Sequence, residues 1–237
     1  MSKSAPSFNL VLLPGLLNDA RLWQHQVETL SSIARVVVAD ITRSDTIAAL
    51  AADVLEQAPD GPFVLAGLSM GGYVALEVMR QAPERVLALA LLDTSARADT
   101  PEATAGRHTL MALAETDFPA VTETLLPKLL HPAHVGVAAI ADPVREMAAR
   151  IGKDAFARQQ RAIMSRIDSR PSLHLIQCPT LLLCGREDKV TPLEVHEEMQ
   201  ALIPGASLTI IEHCGHLSAL EQPAAVSAAL RKCLQEL

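Results

Sequence analysis

Ser69, Asp188 and His216 supply, in that chain order, a hydroxyl, a carboxylate and an imidazole. A serine hydroxyl is a weak nucleophile at neutral pH and needs a neighbouring base to take its proton. His216 is the candidate base, able to return that proton to a leaving group. Asp188 is the candidate for fixing the imidazole tautomer and stabilising the imidazolium. The setting of the serine sharpens this reading. Gly67-Leu68-Ser69-Met70-Gly71 fits Gly-x-Ser-x-Gly, the pattern of a strand that turns abruptly into a helix and lifts the hydroxyl clear of the sheet. Side chains at Gly67 and Gly71 would collide in such a turn. The oxyanion of a tetrahedral intermediate needs donors as well. The backbone N–H of Met70, at a helix start, is one candidate. The other is the N–H of Leu16, in a loop that Gly15 lets turn tightly.

These groups need a frame. Six short apolar runs read as strands: Asn9–Leu13, Ala34–Asp40, Phe63–Leu68, Arg85–Asp93, Thr180–Gly185 and Ser207–His213. They are nearly continuous in apolar residues, as in a parallel sheet covered on both faces. Helical stretches separate them. "SDTIAALAADVLEQAP" has Ser44 or Asp45 as its expected N-cap, and "TPLEVHEEMQALIPG" has Thr191 as cap and Pro192 at the first helical position. Strand and helix in alternation predict an α/β fold with a doubly wound, mostly parallel sheet of about six strands. Between Ala96 and Arg170 no strand is expected. That interval reads as helices punctuated by Pro119, Pro127, Pro132 and Pro143. In an open parallel sheet, ligands sit beyond the carboxyl ends of the strands. Ser69, Asp188 and His216 all fall there.

With these segments in place, the chain resembles the α/β-hydrolase superfamily over nearly its whole length. The resemblance rests on the elbow Gly67–Gly71, the acid segment "GREDKVTP" and the histidine segment "GHLSALEQP". It implies a serine esterase-like enzyme whose core spans 1–95 and 171–237, with 96–170 as a helical cap over the active site. Two departures stand out. Pro14-Gly15 replaces the His-Gly with which many relatives begin the oxyanion loop, while Trp23 keeps its spacing. The segment before Asn9 is too short for the two leading strands of the full eight-stranded sheet. Some relatives carry the acid after the strand that Asp93 ends, which makes Asp93 a rival. The turn around Asp188 favours Asp188, and Asp93 is expected to make local loop or cap contacts. His213 is expected to be structural, at its strand's end, and Glu187 and Glu221 to be solvent or helix-start residues. The other histidines and the Met and Leu positions 111, 125, 129, 130, 147 and 164 are read as surface, cap or packing residues.

Composition excludes other classes. Among 237 residues the net charge is −7, about half are hydrophobic, and no polybasic patch occurs, so nucleic acid is not expected as a partner. No apolar run reaches the ~18 residues of a membrane span, and "MSKSAPSFNLVLLPG" does not read as a signal peptide. The cytoplasm is the expected compartment, with Cys178, Cys184, Cys214 and Cys233 as reduced thiols. Their spacing, and the "HCGH" pair, match no metal site, and neither metal nor cofactor is expected. The leading expectation is a hydrolase of small or medium carboxylic esters. Lactone, thioester, amide or C–C cleavage by the same three residues is the alternative, as is a non-catalytic ligand-binding regulator. Oligomeric state and natural substrate are not legible.

Overall fold

The computed structural model describes residues 8–237; the reading of the leader before Phe8 lies outside them. Six strands, β1 (Phe8–Leu13), β2 (Ala34–Val38), β3 (Phe63–Leu68), β4 (Val86–Leu92), β5 (Thr180–Gly185) and β6 (Ser207–Ile211), form one sheet. Its order is β2-β1-β3-β4-β5-β6, and every neighbouring pair is parallel. Thus β1 and β3 lie side by side where the order reverses, and all the strands end at one edge.

The two faces explain the continuous apolar runs. Along β1, Val11 and Leu13 join one buried cluster while Leu10 and Leu12 join another. The first cluster is completed by α2 (Ile47–Gln57), α3 (Met70–Gln81) and α7 (Leu193–Leu202), through residues such as Leu50, Val74 and Met199. The second is completed by α1 (Gln24–Leu30) and α9 (Pro223–Gln235), through Leu30, Val226 and Leu230. Trp23, at the end of a short 3-10 turn, is fully buried in this second cluster.

Between β4 and β5, three helices interrupt the alternation: α4 (Pro101–Thr116), α5 (Phe118–Leu129) and α6 (Ala138–Met164). Pro119, in the first turn of α5, and Pro132, between α5 and α6, mark boundaries as expected, but the other two prolines do not. Pro127 and Pro143 lie within α5 and α6, and the break in α6 falls at Gly152, whose φ of 76° is left-handed and suits glycine. These helices share a small cluster of their own, which includes Leu17 from the loop after β1. A one-turn helix, α8 (Ser218–Glu221), precedes α9.

Two expected caps differ. Thr46, not Ser44 or Asp45, caps α2 by accepting from the Ala49 amide at 3.2 Å. Ser44 instead donates to Asp53, and Asp45 pairs with Arg161 on α6. At α7 the N-cap position is Pro192, one residue later than expected, and Thr191 has another task, described below. No helix among the described residues is long and apolar enough to cross a membrane.

Candidate active site

The turn after β3 is strained. Ser69 holds φ 55° and ψ −117°, a region that costs a non-glycine residue on the order of 1–3 kcal/mol. Surrounding bonds impose it: the Ser69 amide donates to Leu92 O at 2.9 Å, and its carbonyl accepts from the Gly72 amide at 2.9 Å and Thr94 Oγ1 at 2.7 Å. The flanking glycines are required by close approach. A Cβ at Gly67 would overlap the Gly71 carbonyl, and one at Gly71 would overlap the carbonyls of Leu13 and Pro14 at the end of β1. Gly15 likewise clears space: a Cβ there would meet Asn18 Oδ1 and press on Ser69 Cβ. The loop turns tightly over 15–18, where the Asn18 amide donates to Gly15 O at 3.2 Å, and within that turn Leu17 is left-handed, at φ 60°.

Three loops converge on this serine. His216 Nε2 lies 2.8 Å from Ser69 Oγ, and His216 Nδ1 lies 2.8 Å from Asp188 Oδ2. Asp188 is itself held: Oδ1 accepts from the amides of Val190 and Thr191 at 2.8 and 3.0 Å, and Oδ2 accepts from Thr191 Oγ1 at 2.7 Å. Thr191 therefore orients the carboxylate rather than capping α7. Burial would raise the Asp188 carboxyl, but the imidazole beside it and these donors hold it below the ordinary range. Burial would likewise depress the His216 imidazolium, yet the charge and hydrogen bond of Asp188 outweigh it and raise its pKa above the ordinary value. With Asp188 ionised, the Nδ1 proton points to it, and the Nε2 lone pair is left facing the serine hydroxyl. Among the described residues, the amides of Leu16 and Met70 have no acceptor within the protein.

Asp93 does not reach the imidazole as a hydrogen-bond partner, nor does it make the local or cap contacts expected. It is fully buried, at φ 44°, and its two oxygens accept from the Gly185 amide at 3.0 Å and the Ser218 amide at 3.1 Å. Burial and the nearby charge of Asp188 push its carboxyl well above the ordinary range. Asp93, Cys184 and Asp188 bring three potential metal-ligand atoms within 4.8 Å of one another. The carboxylate oxygens of this group are already taken by the donors just named, and burial pushes the Cys184 thiol up.

Glu221 also departs from expectation. It is buried, with Oε1 accepting from the Gly215 amide at 2.9 Å and Oε2 from the His131 amide and His134 Nδ1, both at 2.7 Å. The His216 amide adds a bond to Leu129 O at 2.8 Å. The histidine loop is thus fastened to the end of α5. His213, expected to be structural within β6, lies two residues beyond that strand, exposed and at φ 52°.

Above Ser69 and His216 a cavity of about 150 Å³ opens, walled by Leu16, Tyr73, Leu110, Leu125, Leu129 and Ile163. Leu125 and Leu129 therefore line it, whereas Leu130 and Met147 are packing residues of the second cluster. One polar wall residue, Gln160, is fully buried. Its Oε1 accepts from Arg107 Nη1 at 3.1 Å, and its Nε2 has no partner among the described residues. The sequence gives no sign of Thr191, Asp93, Glu221 or Gln160 in these roles, because apart from Asp188 for Thr191 and Gly215 for Glu221 their partners are distant along the chain.

The profile of the alpha/beta hydrolase fold family matches residues 9–223. The chain belongs to the α/β-hydrolase family. Among the relatives of this α/β-hydrolase, a pimeloyl-[acyl-carrier protein] methyl ester esterase of Nitrosomonas europaea is 30% identical over 234 residues, covering 91% of each chain. A protein of the same name from Aliivibrio salmonicida is 28% identical and covers 88% of this chain and 85% of its own. In three dimensions the α/β-hydrolase is similar to a thermophilic esterase from Thermogutta terrifontis. The TM-score is 0.89 and the identity 29%, over 98% of this chain and 91% of that one. The enol-lactonase of Burkholderia xenovorans LB400 shares the fold, at TM-score 0.88 and 24% identity, over 99% of this chain and 94% of that one.

Proposed function

We propose that this α/β-hydrolase is a serine esterase that cleaves small or medium carboxylic esters through an acyl-enzyme on Ser69. The observation that carries the reading is the unbroken relay from Asp188 through His216 to Ser69, each step 2.8 Å, beneath an apolar cavity. Ser69 Oγ attacks the ester carbonyl while His216 Nε2 takes its proton. Asp188 stabilises the imidazolium that forms. The unpartnered amides of Met70 and Leu16 receive the oxyanion. His216 then protonates the departing alcohol, and a water activated by the same nitrogen releases the acid. The reading needs no metal or cofactor.

The apolar wall suits an aliphatic acyl arm, and helices α4–α6 act in this reading as a cap, residues 96–170, over a core of 1–95 and 171–237. The curated relatives, named as methyl ester esterases, favour a methyl ester of a medium-length acyl chain, free or carrier-bound. The test is a panel of methyl esters of acyl chains from two to eight carbons, free and carrier-linked, with lactone, thioester and amide counterparts. Wild type and Ser69→Ala are compared, and Ser69 is probed with a fluorophosphonate. Methyl ester turnover and labelling, both lost in Ser69→Ala, are expected. Turnover that persists in that variant overturns the reading, and a silent probe with no turnover favours a binding role.

A further inference from the structure

Asp93 and Thr94, the two residues after β4, touch all three loops that the proposed reaction uses. We infer that this dipeptide is a positioning device: Asp93 clamps the loops bearing Asp188 and His216, and Thr94 clamps the turn bearing Ser69. The inference rests on the esterase reading above and concerns the same site.

The geometry is specific. Asp93 Oδ1 takes the amide of Gly185, the last residue of β5 and three before Asp188. Asp93 Oδ2 takes the amide of Ser218, two residues after His216. One rigid carboxyl group therefore fixes the separation of the two loops whose side chains must meet at 2.8 Å. The adjoining Thr94 Oγ1 donates to the Ser69 carbonyl, and its methyl and hydroxyl fill the space that Gly72 leaves open. The Thr94 amide in turn donates to Nε2 of the buried His196, on α7, at 3.1 Å. Burial pushes His196 down to about 4, so it stays neutral and keeps that nitrogen free to accept. A packing residue would not require this arrangement. A buried carboxyl at a left-handed φ is costly to keep, and an apolar side chain would fill the volume without it. What only the carboxyl supplies is a pair of oxygens that meet the end of β5 and the start of α8 at once.

Asp93 touches neither the hydroxyl nor the imidazole through a hydrogen bond, so its loss should change the geometry of attack and leave substrate binding alone. A displacement of about 1 Å in such a constellation costs on the order of 10²-fold in rate. The test measures kcat and KM on one methyl ester for wild type, Asp93→Asn, Asp93→Ala and Thr94→Val. Each kcat is expressed per Ser69 that a fluorophosphonate can titrate, so a smaller folded fraction does not count. Expected is a fall in kcat of on the order of 10²-fold for Asp93→Ala. Asp93→Asn, which keeps one of the two acceptors, and Thr94→Val should lie between that variant and wild type. KM should stay within about twofold of wild type throughout, as expected when an interaction made in the transition state is lost. Asp93→Ala within twofold of wild type in kcat per titrated site overturns the inference. If that variant does not fold, the same result for Asp93→Asn overturns it. Methyl ester turnover by the wild type tests the esterase reading separately, and survives either outcome.

Discussion

The base of the site and its roof are built on different principles. At the base, beyond β3 to β6, the charged or titratable side chains that face Ser69 are buried and fully bonded. Asp188 alone accepts four hydrogen bonds, counting that from His216. In the roof, α4 to α6 offer mostly apolar side chains to the cavity, their ion pairs lie largely on the outer surface, and Gln160 keeps an unpartnered amide. A buried polar network tolerates little substitution because each unmade bond costs a full desolvation penalty. An apolar wall accepts any side chain of suitable volume. The contrast implies that the type of reaction is fixed by the base and the choice of substrate by the roof.

The strongest way to break this comparison is to alter the base. Ser69→Ala should lower kcat by roughly 10⁴–10⁶-fold with the fold intact, measured by ester turnover and circular dichroism. Asp188→Asn should cost on the order of 10⁴-fold, because an amide favours the wrong tautomer of His216. The opposite ranking of Asp188→Asn and Asp93→Asn would show that the proton relay runs through β4 and not β5. A roof change should behave otherwise. Leu125→Trp, which fills the cavity, should raise KM roughly tenfold for an eight-carbon acyl ester and leave an acetyl ester unchanged. Equal effects on both esters would erase the distinction between base and roof.

Smaller effects are read through pH. His216 must be neutral to take a proton, and its pKa lies above the ordinary value. Activity should therefore fall as pH drops through a midpoint above about 6.5. Any turnover left in Asp188→Asn should have its acid limb at lower pH, because the charge that raises the imidazole is gone. A second pH effect concerns stability. The folded state holds the Asp93 proton up to about 8, against 3.8 for an ordinary Asp. The unfolded chain releases that proton first, so the contribution of this group to stability declines as pH rises from about 4 to about 8. Urea unfolding of Asp93→Asn should show a flatter dependence across that window.

Sequence patterns captured what is local. β3 and β5 begin and end where their apolar runs do, the first stopped by the turn at Ser69 and the second at Gly185. Ser69, Asp188 and His216 were legible because each sits in a short motif at such an end. What stayed illegible has distant partners. Asp93 acts on amides 92 and 125 residues away, and Glu221 on groups 87 and 90 residues away. No periodicity or spacing records such pairs. Thr191 shows a subtler limit. The capping rule names it as an N-cap, but α7 begins one residue later, with Pro192 at the cap position, and the Thr191 hydroxyl donates to the buried carboxylate three residues earlier.

The clasp formed by Glu221 bears on how this protein can change over time. It joins Gly215, beside His216, to His131 and His134, between α5 and α6. Lengthening the chain between Leu129 and His134 would pull on the imidazole, whereas the exposed outer side of α4 has no such link to the base. New specificities should thus arise more readily by rebuilding α4 than by inserting residues after α5, and the fossil record of such diversification would be written unevenly across the roof.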